Sequence, residues 1–507
     1  MGGEVKPGRA GLKSWAQRHL NSGFVVGFFL VLFTYLVVSR QFAISAPNAV
    51  VTTQEQQRIV DRKVIRTPGG TEGEGKREQE WQPKVGDEDE QPHKDTRGTV
   101  PAKELPERDY ADGKPFAETG KVVCSTHGPY SDTCELDGDV RINGTALSVT
   151  LVPSSQSERR EWKVPPYPRK HMLGIDDVTV TQLGSPSKDA AAPACTVTHD
   201  VPAVLFALGG LTGNYWHDFS DVLVPLFAAS RRYAGDVVFL VANTQPWWLG
   251  KYEAAVRRLS KHDAVDLGRD SREVRCFRHV TVGLQLHKEL SIVPEWAPGG
   301  RLTMADFTAF LREAYALPRP AVAAAAPVEK RRRKPRVMVI HRAHYRRFVN
   351  VQEIARAAEA AGFEAVVTDP RGDGPVDELA RSVNAFDALL GVHGAGLTNA
   401  VFLPAGAVVI QVVPYGKLEP MARTDFGEPV ADMGLKYLEY SVAAEESTLL
   451  EMLGPDHPVI KDPDSVHRSG WDKVAEFYLG KQDVRINVTR FAPTLQQAMQ
   501  HLRQRQQ

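Results

Sequence analysis

The stretch Gly391–Leu403 reads GVHGAGLTNAVFL. A continuous apolar run passes straight into His393, Gly394, Ala395 and Gly396, and a helical pattern follows. Glycines in such a turn allow a ligand to approach the backbone, and the helix start offers unpaired N–H groups with positive partial charge. His393 adds a hydrogen-bond donor or a cation. The arrangement suits a diphosphate, although an ordinary tight strand-to-helix turn has the same outline. It is not the dinucleotide fingerprint, because G-x-G-x-x-G is absent, and an esterase oxyanion loop would require a G-x-S-x-G nucleophile that the chain lacks. Upstream, His341–Asn350 reads HRAHYRRFVN. Arg342, Arg346 and Arg347 follow a short apolar strand, and guanidinium forks match phosphate oxygens; a solvated loop would explain one or two of them. A third segment, Gly209–Asp221, reads GGLTGNYWHDFSD. It places His217 and Asp221 four residues apart on one helical face. One of the two can deprotonate a hydroxyl while the other orients or neutralises it, and the pattern does not say which. A capped helix start with a surface pair is the plainer alternative. Three D-x-D triplets occur, Asp87/Asp89, Asp137/Asp139 and Asp462/Asp464, in settings that mark them as chance matches, so no metal is expected.

The elements that must position these residues alternate. One or two strands are expected over Val140–Val152 and single strands over Val201–Leu208, Val237–Val241 and Val280–Leu284, with helices over His217–Ala229 and Lys251–Lys261. A second series begins with a strand at Val337–Ile340. It continues with a helix over Val351–Ala361 that ends at Gly362, a strand over Glu364–Thr368, a helix over Val376–Val383 and a strand over Ala388–Val392. A helix from Leu397, a strand over Val408–Val413 and a terminal helix over Phe491–Arg505 complete it. Strands alternating with helices imply parallel βαβ units, here in two Rossmann-like halves with a cleft between them, and such sheets bind ligands beyond the carboxyl ends of their strands.

The chain has 507 residues, with 62 Lys and Arg against 62 Asp and Glu. Balanced charge gives no pull toward nucleic acid, so a nucleic-acid partner is excluded. The balance hides segregation. Residues 23–39, GFVVGFFLVLFTYLVVS, carry no charge and would span about 26 Å as a helix. Lys6, Arg9, Lys13 and Arg18 precede them, which leaves residues 1–22 in the cytosol and the remainder in a lumen. A cleaved signal peptide with a site near Ala43–Ser45 is the rival. Residues 40–118 lose hydrophobicity, with eight acidic and three basic residues between Thr71 and Glu90, and read as a disordered stem. A first lobe is expected over 119–325 and a second over 337–507. The basic run in 326–336 reads as a solvated linker. Asn143 and Asn487 head glycosylation sequons. Cys124 and Cys134 bracket a short turn-rich segment and are expected to form a local disulfide in an oxidising lumen. Cys195 and Cys276 are left as a pair or as free thiols.

The stretches CSTHGPYSDTCELDGDVRI, GGLTGNYWHDFSDVLVPLF, the RRF-N element and above all GVHGAGLTNAVFLPAGAVVIQVVPYG make the chain similar, over Val122–Leu502, to glycosyltransferase family 61 in the plant branch that decorates xylan. The departures are confined to the Ala-rich, basic linker. The resemblance implies a type II Golgi membrane anchor, a GT-B fold and inverting transfer from a nucleotide sugar without a metal. It sets Arg342, Arg347, His393, Gly394 and Gly396 by the donor diphosphate, and Asn399 and Tyr415 near the nucleotide; Arg346 and Ala395, in the same two loops, are counted with the donor-binding residues. His217 and Asp221 fall on the facing lobe, by the acceptor. A UDP-pentose donor, arabinofuranose first, and a xylan acceptor are the implied substrates. Xylosyl transfer to xylan or N-glycans, and a catalytically inactive lumenal polysaccharide-binding protein, are the alternatives.

Overall fold

The computed structural model describes residues 120–185, 192–322, 333–369 and 375–505. These all belong to one compact unit. The expected anchor at 23–39, the stem and most of the basic linker lie outside the described residues. Among the described residues no helix is long and apolar enough to cross a membrane.

Two sheets organise the chain into a mixed α/β fold. The second is the simpler. Its five strands are all parallel, in the spatial order Glu364–Thr368, Arg336–Ile340, Ala388–Val392, Val408–Val413, Lys436–Ser441. Ala388–Val392 and Val408–Val413 are buried at every position, as strands covered on both faces must be, and this is why their sequences are unbroken apolar runs. The helix Val351–Ala360 stops where Gly362 takes φ 106°, a left-handed conformation that favours glycine. The chain order reverses between Arg336–Ile340 and its neighbour Ala388–Val392, which pair Val337 with Ala388 and Val339 with Leu390. That reversal is a topological switch point, where the loops leaving two adjacent strand ends diverge and leave a ligand crevice. The loop after Ile340 carries Arg342 and Arg346, and the loop after Val392 carries His393 and Gly394.

The first sheet departs from the expected βαβ series. The strands Val274–Val282, Ala203–Ala207, Val238–Ala242 and Val265–Asp266 form a parallel series, and Val197–Thr198 also pairs parallel with Val274–Val282. Beyond it the long strand Ser131–Asn143 pairs antiparallel with both Val274–Val282 and Ser148–Val152, after which Val178–Gln182 pairs parallel and Arg160–Val164 antiparallel. The expected element at Val140–Val152 thus comprises the end of Ser131–Asn143, a turn at 144–147 and Ser148–Val152, the two sides of a hairpin. Cys124 and Cys134 face each other on the paired strands Lys121–His127 and Ser131–Asn143 and are disulfide-bonded. Cys195 and Cys276 form a second disulfide, S–S 2.06 Å, beside Val197–Thr198. The terminal helix starts earlier than expected, at Val488. Asn487 is exposed and its side-chain Oδ1 accepts from the backbone N–H groups of Thr489 and Arg490 there, while Asn143 ends its strand half-buried.

The two sheets are joined by specific contacts. Phe219 meets Phe402 edge-on at 5.9 Å between ring centroids. The Tyr215 hydroxyl donates to Asn399 Oδ1 at 3.0 Å, and Ser291 donates to Asp432.

Candidate active site

The strand Ala203–Ala207 ends in the loop that leads to His217. Asp218, fully buried, accepts from Gly213 N at 2.8 Å, Trp248 Nε1 at 2.9 Å and Tyr252 Oη at 2.8 Å. Its carboxylate therefore clamps the glycine-rich loop onto the helical segment at Trp248–Tyr252. Tyr215–Ser230 then runs as one continuous helical stretch whose middle, Asp218–Leu223, is π-helical. A π-turn re-aims the side chains of a helix and is common at functional sites.

Within that turn Asp221 is completely buried. It accepts from Tyr167 Oη at 2.8 Å, from Arg169 Nε at 2.9 Å and Nη2 at 2.8 Å, and lies 2.9 Å from His217 Nδ1. Burial alone would raise its pKa, but His217 and Arg169 outweigh it and hold the carboxyl at about 2. An ionised carboxylate only accepts, so His217 Nδ1 carries the shared proton. A neutral imidazole fixed in this way presents a bare lone pair at Nε2. Asp221, sealed and fully engaged, has no open atom for a substrate, whereas the His217 side chain is 17% exposed. Arg169 is also bridged by Glu289, at 2.6 and 3.1 Å.

On the second sheet, the guanidinium groups of Arg342 and Arg346 lie over the Gly394 backbone. A Cβ built on Gly394 would stand 2.5 Å from Arg342 Nη1 and 2.8 Å from Arg346 Nη1, and Gly394 itself has φ 142°. A side chain here would displace the two guanidinium groups, and the left-handed φ itself favours glycine. Arg346 Nη1 donates to the His393 carbonyl at 2.8 Å, and Arg346 holds φ 57°, a strained state for a side-chain-bearing residue that the surrounding structure must enforce. Arg342 Nη1 and Arg346 Nε are buried without hydrogen-bond partners. Burial lowers the pKa of both arginines, with Arg342 adding to the effect at Arg346 and Asp369 opposing it at Arg342. Two adjacent guanidinium groups with unsatisfied buried donors have the chemistry to take an anion. Ala395 and Gly396, half-exposed, open this turn to the outside.

His393 takes part as a neutral donor; the cationic role is not supported. Burial, then Arg346 and Arg342, push its pKa down to about 3. Gln411 Nε2 donates to His393 Nδ1 at 2.7 Å, which leaves the imidazole proton on Nε2. That nitrogen lies 3.8 Å from Asp425 Oδ2. Asp425 sits in a second π-helical turn, Arg423–Gly427, and its backbone carbonyl accepts from Trp216 Nε1 at 3.4 Å. The Trp216 ring lies 4.8 Å from that of His217. A short path therefore runs from the arginine pair through His393, Asp425 and Trp216 to the His217–Asp221 dyad.

Three further residues expected around the nucleotide make contacts within the protein. Arg347 points outward onto Asp483, at 2.6 Å, and Asp483 also accepts its backbone N–H. Asn399 accepts from Tyr215 and donates to the Gly396 carbonyl at 3.0 Å, within the same turn. The Tyr415 hydroxyl donates to the Ile460 carbonyl, although its backbone adjoins that of Arg346 through Gln482. The expected helix at Leu397 is a short 3₁₀ segment, Ala395–Phe402. Of the D-x-D pairs, Asp137 meets His279, Asp139 pairs with Arg141, Asp462 caps a helix and Asp464 pairs with Lys417. Arg169, Glu289, Gln411 and Asp425 were not expected.

A buried carboxylate–imidazole pair opposite an anion cradle is an arrangement for transferring a group activated by a phosphate leaving group. Residues 215–410, which span both parts, match the Glycosyltransferase 61 family model. The β-1,2-xylosyltransferase XYXT1 of Oryza sativa subsp. japonica is 44% identical over 408 residues, covering 76% of this chain and 86% of the relative. The α-1,3-arabinosyltransferase XAT3 of the same organism is 41% identical over 446 residues, covering 86% and 75%. The xylan glycosyltransferase MUCI21 of Arabidopsis thaliana is 32% identical over 392 residues, covering 74% and 78%. The chain belongs to glycosyltransferase family 61 and is a glycosyltransferase.

Proposed function

We propose that this enzyme transfers a pentose from a UDP-sugar to xylan with inversion, in a GT-B arrangement of two lobes about a cleft. The observation that carries the proposal is the pair of buried, partner-less guanidinium nitrogens over Gly394, set across from His217 and Asp221. Arg342, Arg346 and the His393 Nε2–H hold the diphosphate. An acceptor hydroxyl oxygen bonds to the anomeric carbon as the bond from that carbon to the diphosphate oxygen breaks. The hydroxyl proton passes to His217 Nε2, Asp221 stabilises the resulting imidazolium, and UDP leaves with the electron pair. Fixed positive charge at the leaving group does the work for which other transferases use a divalent cation, so activity should persist in excess EDTA.

Xylan as acceptor is supported by the name of MUCI21. Arabinofuranose is the first choice of pentose, because the XAT3 match covers 86% of this chain. Xylose is the second reading, favoured by the 44% identity to XYXT1. The same proposal anchors the protein as a type II Golgi membrane protein through 23–39, with its sequons at Asn143 and Asn487 in the lumen. The two disulfides support an oxidising compartment. UDP release measured with xylan oligosaccharides and a panel of UDP-sugars tests the function. A pentose donor consumed only with xylan present is expected. Absence of transfer from every UDP-pentose would overturn it.

A further inference from the structure

Between the diphosphate cradle and the imidazole base the structure has one carboxyl with no assigned task. Asp425 makes no side-chain hydrogen bond among the described residues. His393 Nε2 lies 3.8 Å from its Oδ2, beyond hydrogen-bond range. It is 23% exposed, so its oxygens reach solvent. Glu289 and Asp221, the other acids of the region, are both held by Arg169, which leaves Asp425 as the unengaged one.

The geometry constrains what would occupy this position. A sugar in a nucleotide donor is attached directly to the terminal phosphate, so it must lie next to the cradle. It must also be within reach of a hydroxyl whose proton is passing to His217. Asp425 adjoins His393 on the cradle side, and its own backbone carbonyl meets Trp216, the neighbour of His217, on the other. We propose that the Asp425 carboxyl forms the subsite for the transferred sugar and binds its ring hydroxyls, an assignment that rests on the donor reading above.

The surroundings suit that task. Burial, reinforced by Glu289 and opposed by Arg169, pushes the Asp425 pKa up to about 7. The groups that face it are His393, Glu289 and Arg169. Near neutrality the carboxyl can therefore both accept from and donate to a hydroxyl, and a sugar that satisfies it replaces water at a desolvated polar group. The π-turn at Arg423–Gly427 aims the side chain at this point, as the π-turn at Asp218–Leu223 aims Asp221.

The test is a calorimetric titration of the full chain, as parent, Asp425→Asn and Asp425→Ala, with UDP, UDP-xylose and UDP-arabinofuranose. Loss of the sugar contacts should weaken the better UDP-pentose by about tenfold in Asp425→Ala, with UDP itself held within about twofold. Asp425→Asn, which preserves shape and part of the hydrogen bonding, should fall between the two and supplies the reading if the alanine variant does not fold. Unchanged UDP-sugar affinity in a folded variant would overturn the subsite. So would an equal loss for UDP and UDP-sugar, which would make Asp425 a support for His393. A parent chain that binds neither UDP nor UDP-sugar would overturn the donor reading and the subsite together, whereas the first two results leave the donor reading standing.

Discussion

In the mechanism proposed here, His217 can act through Nε2 only while Asp221 holds Nδ1. His217→Ala is expected to reduce the transfer rate by about 10²- to 10⁴-fold, the usual contribution of a positioned base, with UDP affinity unchanged. A variant that retained the parent rate would remove His217 from that role. Asp221→Asn should also slow transfer, because an amide can favour the wrong tautomer of His217. It should lower the melting temperature as well, since Arg169 loses a buried charge partner. The dyad and the arginine pair were legible from spacing: four residues on a helix, and a short loop after a strand. Arg169, Glu289 and Asp425 were not legible. Arg169 is 52 positions from Asp221 and 120 from Glu289, and a single charged residue in a loop carries no periodic signal. The pairing of Arg347 with Asp483 was not legible either, because nothing near Arg347 in sequence announces Asp483.

Among elements, Ala388–Val392 and Val408–Val413, buried at every position, have the expected bounds, since a continuous apolar run stopped by Gly, Pro or a polar turn has little freedom in where it begins and ends. Glu364–Thr368 also has the expected bounds, although it is an edge strand with no buried position. Arg160–Val164 and Val178–Gln182 escaped because they are short and flank the sheet with mixed polarity. The π-turns were invisible, since an extra residue in a helical turn leaves no mark on an already apolar sequence. Where Ser131–Asn143 meets Val274–Val282, His279 lies between Asp137 at 2.7 Å and Glu135 at 2.9 Å. Burial opposes its protonation, but the two carboxylates outweigh burial and hold its pKa at about 8. A folded-state value above the unfolded one of roughly 6.5 means that the stabilisation is complete below pH 6.5 and is lost as pH rises through 8. The loss is on the order of 2 kcal/mol. Thermal melts should fall over that interval in the parent and be flatter in His279→Gln; identical pH profiles would contradict the assignment.

For the whole molecule, the two sheets must hold a fixed relation if a base on one is to serve a donor on the other. Asn399 joins them by its bonds to Tyr215 and Gly396, and Asn399→Ala leaves the buried Tyr215 hydroxyl without a partner. A destabilisation of about 1–3 kcal/mol is expected in denaturant melts, with a larger fractional loss of transfer rate than of UDP affinity. A variant as stable as the parent would show that the contact does not link the sheets. The central claim is that a diphosphate rests on Arg342 and Arg346 over Gly394. Titration of UDP into parent, Arg342→Ala/Arg346→Ala and Arg347→Ala chains tests it most directly. The double variant should bind UDP at least about tenfold more weakly while Arg347→Ala binds like the parent. Parental affinity in the double variant, or a loss confined to Arg347→Ala, would contradict the claim.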